Sequence, residues 1–350
     1  MDTGSSRNNN WLVAWLAIGL LMVFVQILVG GVTRLTGSGL SITRWEIVTG
    51  TIPPLNEVEW EEAFDLYKQT PQYQKINQGM EMSEFKYIFF WEYFHRLWAR
   101  TMGFVFLIPF LFFVWKGSIS KGTLRNLAVV VSLAAAAALF GWIMVASGLV
   151  NRPWVNAYKL TIHLGLGISL FIYLFYTFIR ERGYIIEHIP AKWVRMMTVL
   201  FIVAIVQVCF GGLVSGMKAA LNYPTWPMMN GEWIPDILSD AAHWNLDSFL
   251  LYDQGGFMAA LVQVVHRSLA YFLFISVVWL AIQWIRSLPV KTHWVPYCLV
   301  GIIVVQVVLG ILVLLGSKGS IPVLFGVLHQ GVGILFLTFL FFIRLKFKSQ

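Results

Sequence analysis

Eight long apolar runs constrain this chain more than any other feature of its sequence. Each run has about 20 or more residues, which is the length that an α-helix needs to cross a bilayer. The runs are Trp11–Gly31, Tyr87–Trp115, Leu124–Leu149, Leu160–Ile179, Val194–Leu213, Phe257–Ile285, Trp294–Leu315 and Val323–Ile343. They are continuous, whereas the strands of a closed barrel alternate between apolar and polar residues. The sequence therefore predicts an all-α polytopic membrane protein with eight transmembrane helices.

The composition agrees with a membrane protein. Only 12% of the residues are charged, compared with about 25% in soluble domains. The mean hydropathy is +0.71. The net charge of +8 is explained by basic residues in short cytoplasmic loops, so it does not indicate binding of nucleic acid. Cys209 and Cys298 lie inside apolar runs and form no Cys/His metal motif.

The connections between the runs alternate in charge. One set of connections, together with the two termini, holds 13 Lys and Arg residues and three acids. The other 12 Lys and Arg residues and 14 acids lie in the alternate connections or at the adjoining span ends. Because short basic loops stay in the cytoplasm, we expect both termini to be cytoplasmic. The two long connections, 32–86 and 214–256, are then expected on the outer side.

The first long connection contains a helix start signal. Asn56 and Glu59 form a plausible capping arrangement, and Trp60, Phe64 and Tyr67 share one face of the helix that follows. We expect this segment to lie across the outer membrane surface, either as a simple lid or as a wall that faces a substrate.

The two halves of the chain repeat each other. Gln26 begins Gln-Ile-Leu-Val-Gly-Gly in the first span, and Gln207 begins Gln-Val-Cys-Phe-Gly-Gly in the fifth. A His-Arg pair occurs in the second and sixth spans, and a His-x-Gly-x-Gly motif occurs in the fourth and eighth. The glycines are expected to allow close helix approach. We predict two pseudo-symmetric four-helix bundles, residues 1–185 and 186–350, with the same orientation in the membrane.

Four of the seven histidines lie inside apolar runs at matched positions, two in each half. They are His95 and His163 in the first half and His266 and His329 in the second. One such histidine could serve only an interhelical hydrogen bond, but a duplicated pair of ionisable residues in the membrane indicates function. Two histidines on facing helices can ligate one haem iron, whereas zinc normally takes three or four protein ligands. The pairs therefore predict two haem sites.

Arginines directly follow the first histidine of each half, at Arg96 and Arg267. Either their side chains pair with haem propionates, or they extend to the membrane interface.

The halves differ three residues before that histidine, where Glu92 in the first half corresponds to Gln263 in the second. Residues three apart share a helix face, so Glu92 is expected to project toward a haem at His95. A carboxylate there can transfer protons or stabilise a developing cation, which an amide cannot do. We therefore predict a catalytic first half and an electron-transfer haem in the second. The alternative is that Glu92 is only an interfacial residue at the end of its span.

At these residues the sequence resembles the haem A synthase family over nearly its whole length. The resemblance includes the eight spans, the duplication and both His-Arg motifs. It is also carried by Gly31-Val-Thr-Arg34-Leu-Thr-Gly-Ser-Gly-Leu-Ser41, Trp45, Thr49-Gly-Thr-Ile-Pro-Pro54, Thr225-Trp-Pro-Met-Met-Asn-Gly231 and Ile234-Pro235. No cysteine lies between Val32 and Lys86, so the chain resembles the branch of the family that lacks a cysteine pair in this loop.

The resemblance implies oxidation of the C8 methyl of haem O to a formyl group through a hydroxymethyl intermediate, which supplies haem A for terminal cytochrome oxidase. It implies that the N-terminal half takes haem O and releases haem A, whereas the C-terminal half keeps haem b. Glu92 occupies the position of the essential glutamate of the family. The implied partners are haem O synthase, oxidase assembly factors, a separate electron-transfer protein and membrane lipid. The implied location is the bacterial inner membrane.

Two other classes of function also use paired histidines. A di-haem b-type protein would only transfer electrons, and a haem transporter or chaperone would only carry the cofactor. Because Glu92 has no acidic counterpart in the second half, the sequence favours an enzyme over both alternatives.

Overall fold

The computed structural model describes residues 10–43, 52–148 and 153–349. Trp45, residues 49–51 of the Thr49–Pro54 motif and Leu149 therefore lie outside the described residues. The helices within the described ranges are α1 (Asn10–Leu35), α2 (Glu57–Lys68), α3 (Pro71–Lys75), α4 (Met82–Trp115), α5 (Lys121–Gly148), α6 (Ala157–Arg182), α7 (Ala191–Gly216), α8 (Leu246–Leu250), α9 (Phe257–Ser287), α10 (Trp294–Gly316) and α11 (Val323–Lys346). Four short 3-10 turns occur at Ala219–Leu221, Asp236–Leu238, Ala241–His243 and Val290–Thr292.

Eight of these helices are long and apolar enough to span a membrane, which confirms the predicted fold class. They are α1, α4, α5, α6, α7, α9, α10 and α11. Several extend beyond the apolar runs, because a helix continues into the polar interface when its ends are capped. In α4 the start lies at Met82 rather than Tyr87, and the backbone N–H of Glu81 donates to the Glu84 carboxylate at 3.0 Å.

A short parallel pair of strands accompanies the helices. β1 (Glu187–Ile189) pairs with β2 (Phe347–Ser349). The Lys346 ammonium lies 3.0 Å from the Glu187 carboxylate beside this pair. The strands join the segment before α7 to the segment after α11, so they hold the two ends of the second half together. No pattern in the sequence predicts these strands.

The helix expected in the first long connection is present as α2. The Asn56 side chain accepts a hydrogen bond from the Glu59 N–H and caps its start. Phe64 and Tyr67 are buried against Phe85 at the beginning of α4, with ring centres 4.8 Å and 5.2 Å apart. An aromatic cluster therefore attaches α2 to the N-terminal end of α4.

Tyr67 makes this cluster sensitive to alkaline pH. Burial raises the pKa of the Tyr67 hydroxyl to about 12, and nearby Glu92 acts in the same direction, although a hydrogen bond from Asn77 opposes it. An unfolded tyrosine ionises near pH 10. The stability that Tyr67 contributes is therefore complete below about pH 10 and is lost as the pH rises through about 12. A titration of tyrosinate absorbance should show a late component near pH 12 that Tyr67→Phe removes. An identical titration in both proteins would contradict the assignment.

The chain forms two compact units, Met1–Tyr184 (unit 1) and Ile185–Gln350 (unit 2). In unit 2, α7 and α10 each pack against both α9 and α11, so the four spans form a closed ring. In unit 1, α1 packs against α4 and α6, and α5 packs against α6. Within the described residues, α4 and α5 make at most sparse contact with each other, so the ring of unit 1 has an open side.

Candidate haem sites

The second pair of predicted ligands faces one another in unit 2. The ring centres of His266 in α9 and His329 in α11 are 6.3 Å apart. An iron–nitrogen bond is about 2 Å long, and an imidazole centre lies about 1 Å behind its nitrogen, so two axial ligands of one iron have ring centres about 6 Å apart. The spacing of this pair therefore fits bis-histidine ligation of a haem.

One histidine of each half has its ring fixed by a backbone carbonyl. The His329 Nδ1 lies 3.0 Å from the Gln306 oxygen, and the His163 Nδ1 lies 3.0 Å from the Ala137 oxygen. Since a carbonyl only accepts, Nδ1 carries the proton and Nε2 is available to a metal. In unit 1, His163 also lies close enough to His95 to interact with it electrostatically. The structure thus brings together both predicted pairs.

Each of the four histidine rings rests against a glycine of the preceding span. A methyl group on any of these glycines would come within 3.3 Å of the ring, so a larger residue would displace the ligand. The pairs, with the distance from an ideal Cβ to the nearest ring atom, are Gly30–His95 (3.3 Å), Gly141–His163 (3.0 Å), Gly211–His266 (3.3 Å) and Gly310–His329 (2.9 Å). The glycines predicted to bring helices together therefore make room for the imidazoles.

This contact gives a direct test in α10. Gly310→Ala should displace His329 and, if His329 ligates a haem, lower the haem content of the purified protein at least severalfold, as measured by the absorbance of reduced haem per protein. Gly301→Ala in the same helix is the matched control, because an added Cβ there meets no atom within 4 Å. Equal haem content in both variants would show that the close contact does not position the ligand.

A side-chain amide accompanies three of the four histidines. The amide nitrogens of Gln26, Gln207 and Gln306 lie 2.9 Å, 3.3 Å and 3.4 Å from the Nε2 atoms of His95, His266 and His329, respectively. Each glutamine precedes its ring-contacting glycine by four residues. Ala137 holds this position opposite His163. The repeated Gln-Gly spacing in the first and fifth spans predicts Gln26 and Gln207, and the same spacing to Gly310 identifies Gln306.

Glu92 connects α4 to the loop that follows α1. Its side chain is 3% exposed. One carboxylate oxygen accepts hydrogen bonds from the Ser41 N–H and hydroxyl, both at 2.7 Å, and from the Ile42 N–H at 2.9 Å. The other oxygen accepts from Arg96 at 2.5 Å. Glu92 is therefore an acceptor for four donors, and its position is fixed one helical turn before His95.

Gln263 makes the equivalent connection in unit 2 with the opposite polarity. Its oxygen accepts from Arg267, and its amide nitrogen donates to the Ala219 carbonyl at 2.8 Å. The loop after α1 thus presents donors, whereas the loop after α7 presents an acceptor. The difference between acid and amide follows the polarity of these loops, and this gives Glu92 a structural role beside the predicted catalytic one.

Arg267 orders the second long connection. Its guanidinium donates to four backbone carbonyls, those of Tyr223, Thr225, Pro227 and Met228. In the described part of the chain its Nε atom is buried and has no hydrogen-bond partner, so one donor of this guanidinium remains unused.

Comparison with known proteins identifies the family. The family model of the cytochrome oxidase assembly protein COX15-CtaA matches residues 13–341. A "Heme A synthase" of Flavobacterium psychrophilum is 36% identical over 95% of this chain and 96% of its own length. A "Heme A synthase" of Mesorhizobium japonicum is 40% identical over 95% of this chain and 89% of its own length. The chain belongs to the haem A synthase family.

Membership of the haem A synthase family confirms the predicted family, enzyme class and multi-pass membrane character. It also confirms that haem is involved, but it does not assign a haem to either half. The roles of the four histidines, Glu92, Arg96 and Arg267 stay predictions. No group of three or more His, Cys, Asp or Glu side chains suited to a metal ion occurs within residues 10–43, 52–148 and 153–349.

Proposed function

We propose that this haem A synthase oxidises the C8 methyl of haem O to a formyl group in unit 1, between His95 and His163, while haem b is held in unit 2, between His266 and His329. The observation that carries this division is that two matched histidine sites differ in one acidic residue. Only the first site has a carboxylate, Glu92, three residues before a ligand.

The histidines of unit 1 hold the substrate through its iron. His95 extends from α4 and His163 from α6, and both helices pack against α1. Two ligands on separate helices would hold the substrate between α4 and α6, and contacts at its periphery would set which edge faces Glu92. Gln26 and Gly30 of α1 support the His95 ring. Arg96 and Arg267 are proposed to bind haem propionates in their respective units.

Glu92 is proposed to assist the oxidation itself. Conversion of a methyl carbon to a hydroxymethyl and then to a formyl group, with water as the source of the oxygen atom, removes four electrons and four protons in all, and the electrons pass to a separate membrane partner. A fixed carboxylate close to that carbon stabilises positive charge that develops there, or accepts a proton. The contacts with Ser41, Ile42 and Arg96 favour charge stabilisation, because they already use the acceptor atoms and hold them in place.

Haem b, when bound in unit 2, supplies one-electron transfer chemistry. We propose that electrons leave through a separate membrane partner, and that haem O synthase and oxidase assembly factors deliver substrate and accept product. The relatives are bacterial, which supports a location in the bacterial plasma membrane. The charge pattern of the loops supports cytoplasmic termini.

Pigment analysis tests the proposed function. Co-expression with a source of haem O should yield haem A, and some hydroxymethyl haem, in acid–acetone extracts analysed by mass spectrometry. His95→Ala should abolish these products and leave the haem b of unit 2 in place. A di-haem electron-transfer protein or a haem carrier would return haem O unchanged, and that result would refute the proposal.

A further inference from the structure

The two units differ in packing at one place beside the histidines. In unit 2 the helix that carries His266, α9, packs along α10 and closes the ring. In unit 1 the corresponding helices, α4 and α5, make at most sparse contact within the described residues. Their burial differs in the same way. Only 6% of the most apolar stretch of α4, and of α5, is buried, compared with 28% for α9 and 17% for α10.

The side chains beside His163 and His329 also differ between the two units. In unit 2 the Gln306 amide fills the space next to α11, where an ideal Cβ on Gly333 would lie 3.1 Å from its nitrogen. In unit 1 the matching residue is Ala137, and an ideal Cβ on Gly167 would meet only an Ile27 carbon at 3.8 Å. Beside His163 the first site therefore has a short aliphatic side chain where the second has a long amide.

The two helices that flank the open side of unit 1 both contribute to the proposed substrate site. One flanking helix, α4, carries His95, and the other, α5, carries the Gly141 that contacts the His163 ring. Any molecule held between these histidines can therefore extend between α4 and α5. The exposed residues on both helices include large apolar side chains, such as Phe104 at 64% and Leu139 at 53%.

We propose that the opening between α4 and α5 receives the isoprenoid chain of haem O and is the lateral route by which the substrate enters from the bilayer. This inference rests on the proposed function. Haem O carries a long isoprenoid alcohol, whereas haem b carries a vinyl group at the same position. An open ring suits a ligand whose apolar tail must lie partly in lipid, and a closed ring suits a resident haem without a tail.

Cross-linking the opening tests this inference. Thr101 in α4 and Ala135 in α5 are exposed, and they lie six residues after His95 and six residues before Gly141. Their counterparts in unit 2 are Phe272 and Val304, which are also exposed. Cysteine pairs at each place, in a background with Cys209→Ser and Cys298→Ser, can be joined with a bifunctional thiol reagent in lipid nanodiscs. The control is the same cysteine-pair protein without reagent.

Joining Thr101→Cys to Ala135→Cys should lower haem O binding at least tenfold and leave the haem b of unit 2 in place. Joining Phe272→Cys to Val304→Cys should change neither. Haem O added before the reagent should protect the first pair from cross-linking, and added haem b should protect it much less. Normal haem O uptake by the joined protein, or equal protection by both haems, would overturn the inference.

Ala137→Gln provides a second measurement that does not depend on cross-linking. The substitution installs the amide of unit 2 in unit 1, so the preference of unit 1 for haem O over haem b should fall at least tenfold in titrations. An unchanged preference would overturn the inference. Failure of the wild-type protein to bind haem O in unit 1 at all would instead contradict the proposed function, so the two failures are distinguishable.

Discussion

Replacing His266 by alanine is expected to abolish the six-coordinate low-spin spectrum of haem b. The His266 and His329 rings are spaced for axial ligation of one iron, and alanine offers no ligand. Loss of either histidine should leave the iron with at most one protein ligand, so His329→Ala should give the same result. The measurement is the absorbance spectrum of the reduced purified protein. His188→Ala is the matched control, because His188 is exposed in β1 and far along the chain from both ligands.

Loss of the spectrum could also follow from misfolding, and haem O binding separates the two causes. His95 and His163 lie in unit 1, so the His266→Ala protein should still bind haem O there. It should also accumulate in the membrane at the level of the control. An unchanged haem b spectrum in His266→Ala would remove the assignment of this pair as ligands.

The spans could be predicted from the sequence because the bilayer imposes a simple rule. A continuous apolar run of about 20 residues has few alternatives to a transmembrane helix. The ends could not be predicted, because they depend on local caps such as the Glu81–Glu84 hydrogen bond at α4. The β1–β2 pair could not be predicted either. Strands of three residues at Glu187 and Phe347 have no periodicity, and they pair across most of unit 2.

The histidine pairs could be predicted because the duplication made them conspicuous, but their surroundings could not. Ser41 is 51 residues from Glu92 in the chain, and nothing in the sequence shows that its N–H meets that carboxylate. The loop after α1 presents hydrogen-bond donors and the loop after α7 presents an acceptor because of their backbone conformations. The difference between Glu92 and Gln263 therefore has a structural explanation, the donors or acceptor of the adjoining loop, that the sequence does not reveal.

Replacing Glu92 by glutamine is expected to lower the rate of haem A formation about 100-fold or more, which is the usual scale for a general acid–base or electrostatic contribution. The measurement is the yield of haem A per bound haem O over time. The haem b of unit 2 should remain, because that unit keeps both of its ligands. Haem O should still bind, because His95 and His163 are unchanged. Formation of haem A at the normal rate would refute the catalytic role.

Glutamine at this position also disturbs the loop, and this effect needs its own control. Glu92 accepts from donors on both oxygens, so an amide nitrogen on either side would face another donor, Arg96 or the Ser41 N–H. Ser41→Ala removes the hydroxyl that donates to Glu92, leaves the backbone N–H at position 41 in place and keeps the carboxylate. If Glu92 acts on the substrate, Ser41→Ala should slow turnover less than tenfold, whereas Glu92→Gln slows it at least 100-fold with haem O still bound.

Gln263→Glu is the matched substitution in unit 2. It replaces the amide that donates to the Ala219 carbonyl with a carboxylate, so the second long connection should lose this hydrogen bond and become less ordered. Unit 1 keeps its acid. If Glu92 serves only to anchor its loop, then Glu92→Gln and Gln263→Glu should have parallel effects, each weakening haem retention in its own unit. Turnover per bound haem O should then stay normal in Glu92→Gln. A loss of turnover confined to Glu92→Gln, with haem O retained, requires that the carboxylate act on the substrate itself.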